Sequence, residues 1–147
     1  MVAGIRASGG YRPEMALVAE DRTDGVVGFV MVSAATVRNA GGEHPIAMLT
    51  PLAVAPGHQR AGVGSALVRA ALAASEAAGD PFVILEGSPA YYRRFGFEPA
   101  EPHGIRIHLP DWAPPEAAQV AFLTRHDPTA RWWRGEVVYP PPVAALG

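Results

Sequence analysis

A strand-like run that passes through a glycine-rich loop directly into a helix constrains the fold more than any other feature. The run extends from Ile46 to Val54, and the loop from Ala55 to Ala61 is rich in turn-forming residues. From Gly62 to Gly79, an apolar face made of Val63, Leu67, Ala70, Ala74 and Ala77 recurs at spacings of three and four, which predicts an amphipathic helix. Because Gly79 is followed by Asp80-Pro81, the helix is expected to end there. A strand joined in this way to a helix favours an α/β fold.

Further elements are predicted on the N-terminal side of this unit. Residues 1–8 are expected to end a helix, because Gly9 and Gly10 can supply a left-handed terminator. Met15 to Asp21 and Val26 to Val37 are predicted strands, and the Asp24-Gly25 turn between them makes a hairpin. Gly28 within the second strand indicates a bulge or a close backbone approach. A polar loop is expected from Arg38 to Pro45.

Shorter elements follow the long helix. Phe82 to Leu85 is a predicted buried strand, and Pro89 to Phe95 is a short helix that Gly96 ends. Further strands are expected at Ile105 to Leu109, Gln119 to Leu123 and Glu136 to Tyr139. The order predicts an α/β layer with a mixed sheet, not an all-parallel one.

Composition excludes several classes of protein. The 147 residues suit one domain, and Pro140 to Pro142 indicate an extended tail over about 140–147. The chain has twelve arginines and no lysine, and its net charge is −2. This charge balance argues against a general nucleic-acid binder. The absence of cysteine excludes a disulfide scaffold and a thiolate metal site, and suits a cytoplasmic protein. The sequence shows no membrane span or export signal.

The loop before the long helix has the properties of an anion site. The first turn of a helix leaves backbone N–H groups without partners, and its dipole end is positive. Gly62 and Gly64 carry no side chain, so an anion could approach that backbone closely, and Arg60 could add a charge-assisted bond. The local chemistry therefore indicates a ligand that carries phosphate.

Glycines in a strand-to-helix turn are also common where the turn is only a tight connection, so a phosphate site requires a more specific motif. A P-loop needs a lysine, which the chain lacks. A dinucleotide fingerprint needs a third glycine where Leu67 stands, and an acidic residue that ends the following strand about 20 residues on, at about residue 82; the predicted strand there does not end in one. Neither nucleotide motif is present.

A third pattern fits better. Gln59-Arg60-Ala61-Gly62-Val63-Gly64 resembles the Q/R-x-x-G-x-G/A pyrophosphate loop of the GNAT superfamily, the acyl-CoA-dependent N-acetyltransferases. The preceding Leu52-Ala53-Val54 is similar to the strand of that family that contacts the cofactor, and Ala90 to Phe97 resembles its A-x-Y-x-x-x-G-F segment. The resemblance covers about 10–143 and is strongest to a subgroup of small acetyltransferases whose chain end resembles Val-Val-Tyr-Pro-Pro here.

The resemblance implies a GNAT fold: a mostly antiparallel mixed sheet flanked by helices, with a central splay between two parallel strands. Acetyl-CoA would then be the co-substrate, its pantetheine arm along Leu52 to Val54 and its pyrophosphate on the N–H groups of Ala61 to Ser65. No metal is expected, because the histidines show no ligand spacing. The cofactor-binding residues are therefore expected to be Leu52, Ala53, Val54, Gln59, Arg60, Ala61, Gly62, Val63, Gly64 and Ser65.

The resemblance also implies catalytic roles. Tyr92 aligns with the tyrosine that protonates the departing thiolate, although a helical tyrosine is more often a packing residue. The base that deprotonates the acceptor is less determined. Glu86, directly after a buried strand, is the first candidate, and an ordinary surface carboxylate is its alternative. Weaker candidates are Glu43, His44 and His103.

The sequence departs from the family pattern at its start, where a strand and one or two helices would normally precede the hairpin. About ten residues stand there, so the first strand and helix are expected to be missing, which affects the acceptor side more than the cofactor side. The expected acceptor is a small-molecule or peptide amine, and a homodimer is possible. Arg131 to Arg134 could line an acceptor or dimer surface, with one of the two tryptophans in the core. The alternative function is a non-catalytic acyl-CoA-binding or regulatory module on the same fold.

Overall fold

The computed structural model describes residues 4–11, 14–58 and 62–139 and has one long helix packed on a nine-stranded sheet. The helices are α1 (Val63–Ala78) and the single-turn α2 (Pro89–Tyr92). The strands are β1 (Gly4–Tyr11), β2 (Glu14–Asp21), β3 (Gly25–Asn39), β4 (Gly42–Val54), β5 (Phe82–Glu86), β6 (Glu98–Pro99), β7 (Ile105–Arg106), β8 (Ala118–Phe122) and β9 (Gly135–Val138).

The main path through the sheet runs β1-β2-β3-β4-β5-β8-β6, and β9 joins the outer half of β3. Neighbours along this path are antiparallel except for β4 and β5, which are parallel because α1 connects them. β7 adds a short parallel pairing with β9. The predicted mixed sheet is therefore confirmed, and its single parallel step in the main path lies at the centre.

Two apolar clusters cover opposite faces of β5. Val83 and Leu85 face the cluster that packs under α1, whereas Phe82 and Ile84 face the other cluster. This alternation follows from the pleat of a strand, which sends successive side chains to opposite faces. Because both faces are covered, β5 is a central buried strand, as its apolar sequence predicts.

Gly28 allows α1 to lie close against β3. A Cβ atom at this position would stand 2.8 Å from both the Leu67 Cδ1 and the Val63 Cγ1 atoms. The pairing of β2 with β3 also shifts register beside it, between Ala19 and Glu20. The predicted bulge is confirmed, whereas the close approach is made by side chains of α1 and not by another backbone.

The buried face of α1 differs in part from the predicted one. Val63 and Leu67 are buried as expected, but the rest of the buried face is Val68, Ala71 and Ser75. Steps of four residues carry this face away from Ala77, which is exposed. The predicted ends hold, since Gly62 and Gly79 cap the helix in left-handed conformations, with φ of 82° and 85°.

Three predictions for the first 45 residues are wrong. Of the residues expected to end a helix, 4–8 belong instead to β1, which pairs with β2 from Gly4↔Glu20 to Tyr11↔Glu14. A strand therefore does precede the hairpin, and only residues 12 and 13 separate it from β2, which leaves no room for a helix between them. The loop expected from Arg38 to Pro45 is instead the continuation of β3 and β4, joined by a tight turn at residues 40–41.

The remaining predicted elements are confirmed with small shifts of their ends: the hairpin of β2 and β3, β5, α2 with Gly96 after it, β8 and β9. The strand expected at Ile105 to Leu109 is shorter, since β7 covers Ile105–Arg106. The expected tail at 140–147 lies outside the described residues. Among the helices described, none is long and apolar enough to cross a membrane.

Candidate functional site

The site is organised around the point where β4 and β5 separate. Their described parallel ladder consists of Ala47↔Val83 and Met48↔Ile84. Beyond these pairs β4 stays with β3, and the register shift after Val32↔Leu49 places an extra residue of β4 at Thr50–Pro51. This is the irregularity that Pro51 predicts. The result is a gap between the two central strands, toward their C-terminal ends.

α1 begins beside this gap with a bare N-terminus. Gly62 is the left-handed capping residue and no side chain caps it, and the first turn has no acidic residue. The amides of Val63, Gly64 and Ser65 therefore belong to the first turn, where a helix has no internal acceptors for its N–H groups. The Val63 side chain is buried in the core, so this residue can offer a ligand only its backbone.

The predicted cofactor strand lies on the same side of the gap. Leu52, Ala53 and Val54 pair with Val30, Phe29 and Gly28 of β3, and so form the last part of β4 before the loop. Val54 packs against the apolar cluster that contains Val63, so the end of this strand segment and the start of α1 lie close together. The predicted loop residues Gln59, Arg60 and Ala61 lie outside the described residues.

Tyr92 lies at the end of α2 with its ring against the backbone that leaves β5. A Cβ atom at Gly87 would stand 2.6 Å from the Tyr92 Cε2 atom, so the ring occupies space that only glycine leaves open. Tyr91 meets the ring edge-on with 4.9 Å between centroids, and Phe97 does so at 5.8 Å. Burial raises the pKa of the Tyr92 phenol, and Tyr91 raises it further, so the group stays a proton donor at neutral pH.

Glu86 is the last residue of β5 and is exposed on the face opposite α1. Its Oε2 atom accepts a hydrogen bond from the Tyr139 hydroxyl, which comes from the residue directly after β9. The pKa of Tyr139 is raised well above its usual range, mainly by burial. The hydrogen bond to Glu86 and the charge of that carboxylate raise it further. Tyr139 thus keeps its proton, and with it the hydrogen bond that it donates to Glu86, at neutral pH.

The two predicted catalytic residues occupy opposite sides of the sheet. Tyr92 packs with the cluster under α1, and Glu86 follows Phe82 and Ile84 on the other face. Both are anchored at the end of β5, where the parallel ladder has already stopped at Ile84. The gap between β4 and β5 therefore connects the Tyr92 side with the Glu86 side.

The weaker base candidates lie elsewhere. Glu43 is paired with Arg38 at 2.9 Å, and His44 packs edge-on against Trp132. His44 precedes Val54 by ten residues of β4, on the order of 30 Å along the strand. The His103 Nε2 atom contacts Glu98 Oε1 at 2.6 Å. None of these three is brought to the end of β5.

Two residues at the site were not singled out from the sequence. Tyr139 contacts Glu86 across 53 residues of chain, and only its place in the Val-Val-Tyr-Pro-Pro end marks it. Gln119 is buried, and its Nε2 atom donates to the Gly87 carbonyl at 3.0 Å, which fixes the backbone behind Tyr92. A lone glutamine in an apolar strand was the available signal, since a buried amide requires a partner.

The tryptophan pair behaves as expected in part. Trp133 is 3% exposed in the core, whereas Trp132 is half-buried and stacks on Phe82 with 6.2 Å between centroids. Both lie in a turn before β9 rather than in a strand. In the described ranges, no group of three histidine, aspartate or glutamate side chains could hold a metal ion.

Comparisons with known proteins agree with this geometry. The family model described as an acetyltransferase (GNAT) domain matches residues 6–100. An uncharacterized N-acetyltransferase of Escherichia coli K12, YjhQ, is 34% identical over 100 residues, which cover 67% of this chain and 54% of that protein. A second one from the same strain, YhbS, is 34% identical over 96 residues, 65% of this chain and 56% of its own. The chain spans about half the length of the curated relatives it matches.

Solved structures show the same likeness. Crystalline YhbS from Escherichia coli in complex with CoA has a TM-score of 0.73 and 32% identity, covering 86% of this chain and 67% of that one. A GNAT family acetyltransferase from Brucella melitensis in complex with acetyl-CoA has a TM-score of 0.61 and 29% identity, covering 86% and 66%. The family match, the sequence identities and the fold agree, and the chain belongs to the GNAT acetyltransferase family.

Proposed function

We propose that this protein is an N-acetyltransferase that transfers an acetyl group from acetyl-CoA to an amine by direct attack. The observation that carries the proposal is the parting of β4 and β5 after Met48↔Ile84, next to the uncapped start of α1. A gap of this kind offers strand edges to an amide-containing arm, and the helix start offers N–H groups to phosphate. The two structural relatives hold CoA and acetyl-CoA.

In this proposal the cofactor lies along the α1 side of the gap. The pantetheine arm follows Leu52 to Val54, and the pyrophosphate rests on the backbone from Gly62 to Ser65, with Gln59, Arg60 and Ala61 completing the loop. The dipole of α1 favours the negative charge of the phosphates, and the absence of acidic residues from its first turn avoids repulsion.

The reaction needs one base and one acid. An amine is mostly protonated at neutral pH, so Glu86 accepts its proton and leaves the nitrogen lone pair available. The nitrogen attacks the thioester carbonyl, and a backbone N–H near Val54 stabilises the oxyanion. When the tetrahedral intermediate collapses, the C–S bond breaks and Tyr92 protonates the thiolate, giving the amide and CoA. The raised pKa of Tyr92 keeps that proton available at neutral pH.

Cofactor binding is tested by thermal denaturation with and without acetyl-CoA. A ligand that binds only the folded state raises the melting temperature by mass action. We expect acetyl-CoA to raise it and NAD or ATP to do so far less. Gly62→Val should abolish the shift, because a side chain would stand where the phosphate approaches the backbone.

A matched control separates this effect from backbone strain. Gly25 also has a left-handed φ, 73° against 82° for Gly62, and a Cβ atom at either position would have no neighbour within 4 Å. Gly25→Val should therefore strain the chain similarly but keep the acetyl-CoA shift. Loss of the shift in both variants, or an equal shift with NAD, would contradict the proposal.

Turnover is tested by CoA release against a panel of amines. The chain has no cysteine, so a thiol reagent reports CoA alone. Release that depends on both acetyl-CoA and an amine supports the enzyme. Tight binding of acetyl-CoA with no release for small amines or N-terminal peptides would instead favour a non-catalytic acyl-CoA-binding module.

A further inference from the structure

A pocket opens beside Glu86 on the face of the sheet opposite α1. It has a volume of about 440 Å³, and its walls are the end of β5, the start of α2 and the loop from Leu109 to Pro114. Ligand pockets in proteins typically measure about 300–1,000 Å³, so this one suits a small molecule. Glu86 lies two residues beyond Ile84, where the parallel ladder stops, so the pocket adjoins the gap between β4 and β5.

The lining of this pocket is almost wholly apolar. Leu109, Pro110, Trp112 and Pro114 form the loop side of the wall, and Ala117 also lines the pocket. Among the described residues that line the pocket, Glu86 is the one that carries a charge, and none is cationic. An apolar chamber with a single carboxylate matches a ligand with one positive charge on an apolar body.

The carboxylate is held in place from outside the pocket lining. Tyr139 donates a hydrogen bond to Oε2, and a carboxylate has about four acceptor positions in total. Acceptor capacity therefore remains for an ammonium group. Since the Tyr139 hydroxyl can only donate to a charged carboxylate, it orients Glu86 without neutralising it.

Trp112 is the second unusual feature of the pocket. Its side chain is 84% exposed, the highest among the exposed large apolar residues of the described chain. Prolines at positions 110 and 114 restrict the backbone on either side of it. A flat aromatic surface held at a pocket mouth can cover an apolar ligand or attract its cation.

We propose that this pocket binds the acceptor, and that the acceptor is a small monoamine with an apolar or aromatic body and no carboxylate. The inference rests on the proposed function, because it assigns the substrate class of that reaction. Glu86 binds the ammonium group and then takes its proton, while Trp112 and the loop prolines contact the body. The amine therefore enters from the face opposite α1 and reaches the thioester through the gap.

The same lining disfavours two other classes of amine. An amino acid would bring its carboxylate toward Glu86, and the described lining has no cation to pair with it. A diamine or polyamine would place its second charge against the apolar wall, where an unpaired charge is costly. The pocket thus selects an amine by the number and position of its charges more than by its shape.

The test measures binding in the presence of CoA, where no acetyl transfer occurs. Isothermal titration compares 2-phenylethylamine with L-phenylalanine, which adds a carboxylate, and with putrescine, which adds a second ammonium. We expect 2-phenylethylamine to bind at least tenfold more tightly than either. Tighter binding of L-phenylalanine or putrescine, or binding of none of the three, would overturn the assigned substrate class.

Two variants test the residues that carry the inference. Trp112→Ala should weaken binding of 2-phenylethylamine roughly tenfold, as truncation of a contact tryptophan commonly does. Asp111→Ala is the control, because Asp111 is exposed in the same loop but does not line the pocket. Equal affinities for the amine in these two variants would contradict the placement.

Glu86→Gln keeps the side-chain size and removes the charge. It should weaken the binding of 2-phenylethylamine tenfold or more, since charge-assisted hydrogen bonds are stronger than those between neutral groups. The neutral analogue 2-phenylethanol should bind wild type and Glu86→Gln alike. If the amine also binds both alike, Glu86 does not recognise the ammonium group and the inference fails.

Failure of the inference is distinguishable from failure of the proposed function. If acetyl-CoA raises the melting temperature and CoA is released with polyamines or amino acids only, the acetyltransferase stands and the substrate class is wrong. If acetyl-CoA has no effect, the proposed function fails. In that case the titrations are repeated without CoA. If 2-phenylethylamine still binds more tightly than L-phenylalanine and putrescine, the pocket selects apolar monoamines; if it does not, the inference fails as well.

Discussion

The hydroxyl of Tyr139 donates a hydrogen bond to the Oε2 atom of Glu86, and so joins the end of β9 to the end of β5. These strands are not neighbours in the sheet, because β9 pairs with β3 and β7. The bond crosses the face of the sheet that carries the pocket. It makes the orientation of the proposed base depend on the last strand of the described chain.

Removing this bond should reduce catalysis without removing the charge. Tyr139→Phe leaves the ring and deletes the donor, so Glu86 gains rotational freedom at the end of β5. Hydrogen bonds to charged groups contribute about 1.5–3 kcal/mol, so we expect kcat/KM for the amine to fall by roughly 10- to 100-fold. Steady-state kinetics should show an unchanged KM for acetyl-CoA. A change in that KM instead would indicate that Tyr139 acts on the cofactor side.

The same tyrosine should make the free energy of unfolding depend on pH in the alkaline range. Burial and Glu86 raise the pKa of Tyr139, so the folded state keeps a proton that the unfolded chain releases near pH 10. The stabilisation is therefore fully present below about pH 10 and is lost as the pH rises above it. Urea denaturation at several alkaline pH values should show a steeper loss for wild type than for Tyr139→Phe. If the unfolding free energies of the two proteins fell in parallel with pH, Tyr139 would have the same pKa in the folded and the unfolded state.

Tyr92 and Tyr91 form a matched pair for the proton-donor role. Tyr92→Phe should lower kcat by roughly 10²–10⁴-fold, the usual range for general-acid catalysis, with acetyl-CoA affinity within a few-fold. Tyr91→Phe should have little effect, because its ring contact with Tyr92 and the Arg94 guanidinium above its ring both survive the change. Rates are measured with a competent amine. Full turnover by Tyr92→Phe would remove the proposed acid.

Packing of α1 on the sheet depends on Gly28. In Gly28→Ala the new Cβ would stand 2.8 Å from the Leu67 and Val63 side chains, both buried. Overpacking of this kind costs about 1–3 kcal/mol, so chemical denaturation should show a loss of that size in the free energy of unfolding.

Gly57→Ala is the control for this substitution, because a Cβ atom at position 57 would meet nothing within 4 Å. We expect it to stay close to wild type. Since Val63 opens α1, Gly28→Ala should also weaken the stabilisation by acetyl-CoA. A stable Gly28→Ala protein with normal cofactor binding would show that the helix can move outward at little cost.

Gln119 should matter beyond its own burial. Gln119→Met keeps the length of the side chain but leaves the Gly87 carbonyl without this donor, which should cost about 1–3 kcal/mol in unfolding free energy. Glu116→Gln, at an exposed position nearby, should stay within about 0.5 kcal/mol. Denaturation curves of the two variants make the comparison. Similar stability of both would indicate that water replaces the lost donor.

Local sequence was sufficient for much of the fold. The spacing from Gly62 to Gly79 predicted α1 with its caps, because helix hydrogen bonds and terminators lie within a few residues of each other. Phe82 to Leu85 predicted a buried strand for a similar reason, since a continuous apolar run of this length suits a central strand. The motif around Gly62 and the one around Tyr92 identified the family before any contact was known.

Local sequence was misleading where the partner decides the structure. Gly9 and Gly10 suit the end of a helix, yet residues 4–11 form β1 because β2 supplies their hydrogen bonds. The glycines at 41 and 42 suit a loop, yet they close a tight hairpin once β3 and β4 pair up to Asn39↔Gly42. A strand has no internal hydrogen bonds, so its existence depends on a neighbour that sequence distance does not reveal.

The sequence by itself determined the family, the order of the central elements and the identities of Glu86 and Tyr92 as candidates. Only the tertiary structure decided that these two lie on opposite faces of the sheet, that Tyr139 holds Glu86, and that the loop with Trp112 walls a pocket beside it. The physical reason is the range of the interactions. Helix periodicity and turn chemistry act over a few residues, whereas the site is assembled by strand pairing and side-chain contacts across 53 residues of chain.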